Sequence, residues 1–267
     1  MMEFITKIKY FVGKNITFSQ WKNRSILRDF LPKLLENRSE EVGVDSGQVR
    51  ILDLGSGNGE YSLALAKVAL KKGIGVSIVA LDSSDSNCKL LMEECEKKEI
   101  KNIETVKGDA HKLDFADESF DACFCNTVLE HVKGPEKVVS EVYRVLKSGG
   151  KVLFSIPFLQ EIHADPYDFQ RYTPYGLREI LERQGFEVML NKNDFGAVRS
   201  IEYLLFGSIV WRMRLGFWKN FPLGYVYVLF LFLMFLFAKL GSLLFAFVQK
   251  DDLHFMTQVT MLARKAK

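Results

Sequence analysis

Apolar and polar positions fall into blocks along this chain, and the block pattern changes three times. Up to residue 48, Phe18, Trp21, Ile26, Leu27, Phe30, Leu31, Leu34 and Leu35 recur at roughly helical spacing, which predicts one or two amphipathic helices. From there to Pro157, short apolar runs alternate with longer amphipathic stretches. Val49–Leu54, Val76–Leu81, Ile103–Val106, Ala122–Asn126 and Lys151–Ile156 read as strands, and Tyr61–Lys72, Asn87–Lys98 and Pro135–Leu146 as helices. The last of these runs into Lys147-Ser148-Gly149-Gly150, a basic turn followed by a glycine stop. A helix at Pro174–Gln184, a stop at Gly185 and strands at Phe186–Leu190 and Thr257–Ala263 complete the set. Strand–helix repetition of this kind implies right-handed crossovers and a mostly parallel sheet with helices on both faces.

The third change is at residue 197, where polar positions nearly vanish. Leu223 to Val248 has Lys239 as its one charge, and eleven of the 22 phenylalanines lie between Phe195 and Phe255. Between Ala197 and Lys250, Arg199, Arg212, Arg214, Lys219, Lys239 and Lys250 face the single acid Glu202, with Trp211, Trp218, Tyr225 and Tyr227 near the ends. Phe and Leu lie on all sides of the helix, which suits a bilayer better than a one-sided core stripe. A buried hairpin or a homodimer interface is the soluble alternative. The strands on either side should join one sheet, so the segment must return to the side it left. A re-entrant hairpin or an in-plane helix on the cytoplasmic face fits that constraint, with an integral crossing as the alternative. The expected divisions are an N-terminal helical cap (1–48), a core (49–196), the apolar insertion (197–250) and a returning strand (251–267).

Composition adds exclusions. The chain has 267 residues, 48% hydrophobic and 26% charged, with a net charge of +3, which excludes wholesale disorder and gives no footing for nucleic acid. Cys88, Cys95, Cys123 and Cys125 form no CxxC pair, so free thiols are expected and a cysteine zinc site is not. Cys123 and Cys125 read as two core residues on one strand face. The first fourteen residues lack an apolar stretch of signal-peptide length, so the catalytic part is expected in the cytoplasm.

The sharpest local signal is VRILDLGSGNGEY, from Val49 to Tyr61, where a strand meets Gly55, Gly57 and Gly59 and then a helix. Glycine lets the backbone turn sharply and approach a ligand, and a helix start offers unpaired N–H groups. Asp82 ends the second strand, where a carboxylate can accept two ribose hydroxyls, and Asp109 follows the third, where it can bracket an adenine edge. All three stand at strand carboxyl ends, the ligand-binding edge of a parallel sheet.

These residues resemble the class I S-adenosylmethionine-dependent methyltransferases with a type 11-like core, over about residues 49 to 190. That resemblance implies a Rossmann-like, seven-stranded sheet and S-adenosyl-L-methionine as cofactor. It assigns cofactor contacts to Asp53, Gly55, Ser56, Gly57, Asn58, Gly59, Tyr61, Asp82, Ser83, Asp109, Ala110, His111, Asn126 and Thr127. Phe120 through Val132 is similar to the segment beneath the sulfonium, and Glu141 through Gly150 to the segment leading to the fifth strand. A dinucleotide fingerprint would put a third glycine where Glu60 stands, and a glutamate there repels a pyrophosphate.

Methyl transfer from a sulfonium is an in-line displacement that requires no metal. The protein aligns the acceptor and, for a hydroxyl, takes a proton. The connection from Pro157 to Pro174 is dense in His, Asp, Tyr and Arg, and His163 is the expected base, with His131 second. Glu130, Asp165, Tyr167, Asp168, Arg171 and Tyr172 are the expected acceptor contacts. The stretch from His163 to Leu177 is also similar to methyltransferases encoded with surface-glycan and lipid-linked-saccharide enzymes. It implies O-methylation of a lipid-linked or amphiphilic acceptor at the membrane. The alternatives are a quinone or isoprenoid methyltransferase, and a non-catalytic membrane-tethered binding protein that keeps the fold.

Overall fold

A computed structural model describes residues 31–35, 48–160, 162–194, 224–244 and 258–267. The rest of the N-terminal cap and of the apolar insertion lies outside the described residues. The elements run α1 (Leu31–Leu35), β1 (Val49–Leu54), α2 (Glu60–Lys71), β2 (Val76–Asp82), α3 (Asp85–Lys97), β3 (Ile103–Lys107) and β4 (Phe120–Asn126). A 3-10 turn (Leu129–His131), α4 (Pro135–Val145), β5 (Leu146–Pro157), α5 (Pro174–Arg183), β6 (Phe186–Asp194), α6 (Gly224–Leu244) and β7 (Gln258–Lys265) follow.

Seven strands form one sheet in the order β3-β2-β1-β4-β5-β7-β6. The first five are parallel, while β7 runs antiparallel to both β5 and β6. The central strands are buried on both faces, so they read as continuous apolar runs. Alternate residues supply two cores. Ile51, Ile78, Phe124, Leu153 and Leu262 pack on one face with Leu31 and Leu34 of α1 and Leu65 of α2. Leu52, Val79, Phe154 and Met261 pack on the other with Val138 and Val142 of α4 and Leu177 of α5. Cys123 and Cys125 share this second face, as free thiols that burial pushes well up from their ordinary pKa.

Two boundaries differ from the sequence pattern. Lys147–Gly150 is not a helix stop: α4 ends at Val145 and β5 begins at Leu146. Gly149 there takes φ +73, and a Cβ on Gly150 would lie 2.8 Å from the Lys147 carbonyl oxygen. The two glycines thus admit a tight, strand-like approach to β4. The second difference is β6, which continues through Asn191, Lys192 and Asn193 to Asp194. It is an edge strand, defined by its backbone pairing with β7 on one side and not by a run of apolar residues.

Helix α6 is apolar over most of its 21 residues, with Lys239 as its one charge. Leu231 and Phe235 are buried, while Leu229, Phe230, Leu233 and Phe237 are more than half exposed. No helix among the described residues is long and apolar enough to cross a membrane.

Candidate active site

The glycine loop folds over the end of β2. The Gly55 and Ser56 N–H groups both donate to the Leu81 carbonyl, at 2.8 and 3.0 Å. Gly55, Gly57 and Gly59 take φ of +71, +54 and +80, which L side chains rarely adopt. A Cβ on Gly55 would meet Val128 at 2.3 Å and one on Gly59 would meet Leu91 at 2.1 Å, whereas Gly57 has nothing within 4 Å. Two of the glycines therefore serve packing, and Gly57 leaves open space.

That space belongs to a cavity of about 670 Å³ at the carboxyl ends of the strands. Asp82 lies on its wall, nine-tenths buried. One Asp82 oxygen accepts the Gly57 N–H at 2.8 Å, and the other accepts the Ser84 N–H at 2.9 Å and Asn87 Nδ2 at 3.2 Å. The carboxylate thus ties the loop to the start of α3, beside Ser83. On the β3 side, Asp109 Oδ1 accepts the His111 N–H at 2.9 Å and meets His111 Nδ1 at 2.8 Å. His111 Nε2 lies 2.6 Å from the Lys133 carbonyl. With an acceptor at each ring nitrogen, the His111 pKa is raised, chiefly by Asp109, and that of Asp109 is lowered, chiefly by the His111 N–H. Ala110 and Thr127 complete this wall. Thr127 holds φ +54, its N–H donating to the Ser155 carbonyl at 2.7 Å.

Other residues nominated from the sequence stand behind the wall. Asp53 is buried and accepts the Ser62 hydroxyl. Burial raises its pKa to about 7; the Ser62 bond opposes this and the Asp82 charge adds to it. Ser56 is buried, Asn58 Oδ1 accepts the Glu60 N–H at 3.4 Å, and Gly59 is the N-cap of α2. Tyr61 packs on Phe124 with ring centroids 5.0 Å apart. Asn126 is buried against Gln258, which reaches it from β7 at 3.3 Å and also bonds Ser155.

Asp53 gives a test of this burial. Between the ordinary carboxylate range and pH 7, the unfolded chain has lost the Asp53 proton and the folded chain still holds it. Stability therefore falls as pH rises across that window. Asp53→Asn removes this component. Denaturation at pH 5 and pH 8 should show the variant gaining roughly 2–4 kcal/mol relative to the parent at the higher pH. An unchanged difference would place an ionised carboxylate in the core.

The acceptor side is built by two connections that fold together. The Phe169 N–H donates to the Glu130 carbonyl at 2.8 Å, and Gln170 Nε2 donates to the carbonyls of Leu129 at 2.6 Å and Val132 at 3.1 Å. His131 Nδ1 lies 2.6 Å from the Tyr167 carbonyl. These bonds stitch the loop after β5 onto the 3-10 turn after β4. They bring His163 against His131, ring centroids 4.8 Å apart at 81°. The two candidate bases thus occupy one place. Glu130 lies beneath both, fully buried, its Oε1 at 3.7 Å from His131 Nε2 and 4.0 Å from His163 Nε2.

Asp168 supports His163 from behind: it accepts the His163 N–H at 2.9 Å and stands 3.3 Å from His163 Nδ1. Arg171 clamps the same carboxylate with its two terminal guanidinium nitrogens and is the main cause of its lowered pKa. Asp168 and Arg171 therefore pair with each other. Tyr172 packs against the core, and burial pushes its phenol up to about 12. Asp165 is exposed on the loop. His131 and Tyr167 line the cavity together with Phe169 and Lys133, which the sequence reading did not single out. The Lys133 ammonium sits 5.4 Å from the Phe169 ring centroid.

A strand-end crevice with a glycine loop, a carboxylate after β2 and another after β3 defines a nucleoside-binding protein of the doubly wound class. Residues 52–154 match a family described as a methyltransferase domain. The chain is 32% identical over 174 residues to the ubiquinone/menaquinone biosynthesis C-methyltransferase of Blochmanniella floridana, covering 61% of this chain and 67% of that one. It is 25% identical over 205 residues to the demethylmenaquinone methyltransferase of Thermotoga maritima, covering 65% and 84%. Two further curated relatives are matched over 57% and 43% of their own length. The crystal structure of the [4+2]-cyclase SpnF superposes with a TM-score of 0.61 at 19% identity, covering 94% of this chain and 84% of that one, and shares the fold. The chain belongs to the family of S-adenosylmethionine-dependent methyltransferases.

The cradle fits that cofactor. Gly57 is open where a ligand backbone would approach, Asp82 and Asp109 stand on the wall, and Glu60 opens α2 where an anionic phosphate would be repelled. Bound there, S-adenosyl-L-methionine supplies an electrophilic methyl group.

Proposed function

We propose that the protein methylates a small amphiphilic acceptor, with its polar head at Glu130, His131 and His163 and its apolar part towards the membrane. The observation that carries this reading is the single cavity that joins the glycine loop and Asp82 to His131. Tyr167 and Phe169 lie on its wall and are 63% and 42% exposed, an apolar rim suited to a lipid-like tail. The histidine–carboxylate group holds the acceptor hydroxyl and assists the loss of its proton.

A lipid-linked saccharide methylated at oxygen suits this polar head, and the His163-to-Leu177 stretch supports it. A quinol or isoprenoid ring is the second reading, supported by the named substrates of the relatives. Incubating membrane extracts with the enzyme and isotopically labelled methyl donor separates them. Mass spectrometry should find the label on a saccharide released by mild acid under the first reading, and on a quinone under the second. No labelled lipid would sink both.

The membrane reading places the catalytic core on the cytoplasmic face, held by the apolar insertion. Because β6 and β7 pair with each other, the chain leaves and re-enters the sheet at one end, which supports an in-plane or re-entrant attachment. Joining Asp194 to His254 through a short Gly/Ser linker keeps the paired strands. The shortened protein should bind donor, stay in the supernatant of a membrane sedimentation, and retain activity on soluble acceptor fragments longer than on lipid-linked ones. A protein that still sediments with membranes would move the anchor to the N-terminal segment.

A further inference from the structure

We propose that Glu130, His131 and His163 form a binding site for one divalent first-row transition cation, of which zinc suits the ligand set best. The inference rests on the reading of these residues as the acceptor end of the cavity. Each of the three offers a ligand atom, and these atoms lie within 4.8 Å of one another. Tetrahedral zinc with bonds of about 2.0–2.1 Å sets its ligand atoms about 3.4 Å apart. Glu130 Oε1 already stands at 3.7 and 4.0 Å from the two Nε2 atoms, so small side-chain rotations close the set.

The stronger argument concerns the far side of each ring. A carbonyl oxygen only accepts, so His131 Nδ1, at 2.6 Å from the Tyr167 carbonyl, carries the proton. His163 Nδ1 faces the Asp168 carboxylate at 3.3 Å, which selects the same tautomer. In the neutral rings both Nε2 lone pairs are then turned towards a buried carboxylate. Three electron-pair donors converge, an arrangement that a cation between them stabilises. Histidines that ligate metal nearly always donate their other N–H to a carbonyl or carboxylate in this way. Here each ring has one such partner.

The chemistry selects the ion. Two imidazoles and one carboxylate, without thiolate, match the three-ligand catalytic zinc set and leave a position open. The rings are only partly exposed, 25% for His131 and 28% for His163, and His131 opens onto the cavity. An oxygen of the acceptor could take the open position, where the cation lowers its pKa and fixes its direction.

The test uses the full-length protein, stripped with chelator and titrated with Zn²⁺ by calorimetry and with Co²⁺ by optical absorption. One equivalent of each should bind, and the cobalt spectrum should show d–d bands without thiolate charge transfer. His163→Gln and Glu130→Gln should weaken binding by at least about 100-fold, and Asp168→Asn, which touches His163 from behind, by about 10- to 100-fold. S-adenosylhomocysteine binding on the same samples reports the cradle separately and checks the fold of each variant. The proposal is overturned if the parent protein takes up no equivalent, if the variants bind as tightly as the parent, or if a thiolate band places the cobalt on a cysteine. Metal uptake with no S-adenosylhomocysteine binding in the parent would instead sink the methyltransferase reading and leave the cation site standing.

Discussion

Replacing His163 by alanine should lower turnover by about 10²- to 10⁴-fold while donor affinity stays within a factor of about two. The size of the loss follows from position. His163 shares one site with His131 and Glu130 and is backed by Asp168, and it is not among the residues that line the cavity beside the glycine loop. His131→Ala should cost a comparable factor, and the double variant little more than either single, because residues acting as one unit lose their effect together. Single-turnover measurements with saturating donor test this. Multiplying losses in the double variant would make the two histidines independent. Near-normal turnover in either single variant would remove that histidine from the chemistry.

The second large effect concerns Asp82. Both of its oxygens are engaged by the protein, through Gly57 on one side and Ser84 on the other. With Asn87 Nδ2 as a third donor, three of the carboxylate's roughly four lone-pair sites are taken, and the remaining one, on the oxygen that Gly57 bonds, can accept a ribose hydroxyl. Asp82→Ala removes that contact and also frees the Gly57 loop, so donor affinity should fall by about 2–3 kcal/mol, or roughly 30- to 150-fold. Asp82→Asn retains one acceptor oxygen and should fall between. Calorimetry with S-adenosylhomocysteine measures both variants, and an unchanged dissociation constant would remove Asp82 from the cofactor site.

The sheet was legible because its central strands are buried on both faces. A run such as Val76–Leu81 carries its identity in five apolar positions out of six, with Ser77 the exception. The end of β6 was illegible for the opposite reason: Asn191 to Asp194 sits at an edge, where pairing with β7 and not apolar pattern defines the strand. The glycine loop announced itself through backbone chemistry that few residues but glycine tolerate. Tyr61 shows the limit of neighbourhood in sequence, since it adjoins that loop and yet packs on Phe124. Phe169 and Lys133 were invisible because loop sequence does not say which positions face a cavity. The Glu130–His131–His163 cluster was hidden by distance along the chain. A helix and a strand separate its members, and only the hydrogen bonds of Gln170 and Phe169 to the 3-10 turn close that gap.

The antiparallel joint between β6 and β7 has a consequence for how such a protein can vary. Asp194 and Gln258 face each other across the two strands, so everything between them begins and ends at one point of the scaffold. The entropy of closing a loop grows only logarithmically, and doubling its length costs only about 0.6 kcal/mol. Segments of very different size and polarity can therefore be grafted at this joint with little strain on the sheet or the cofactor crevice. Such an exchangeable graft would let one methyl-transfer engine be retargeted to new surfaces while its chemistry stays fixed.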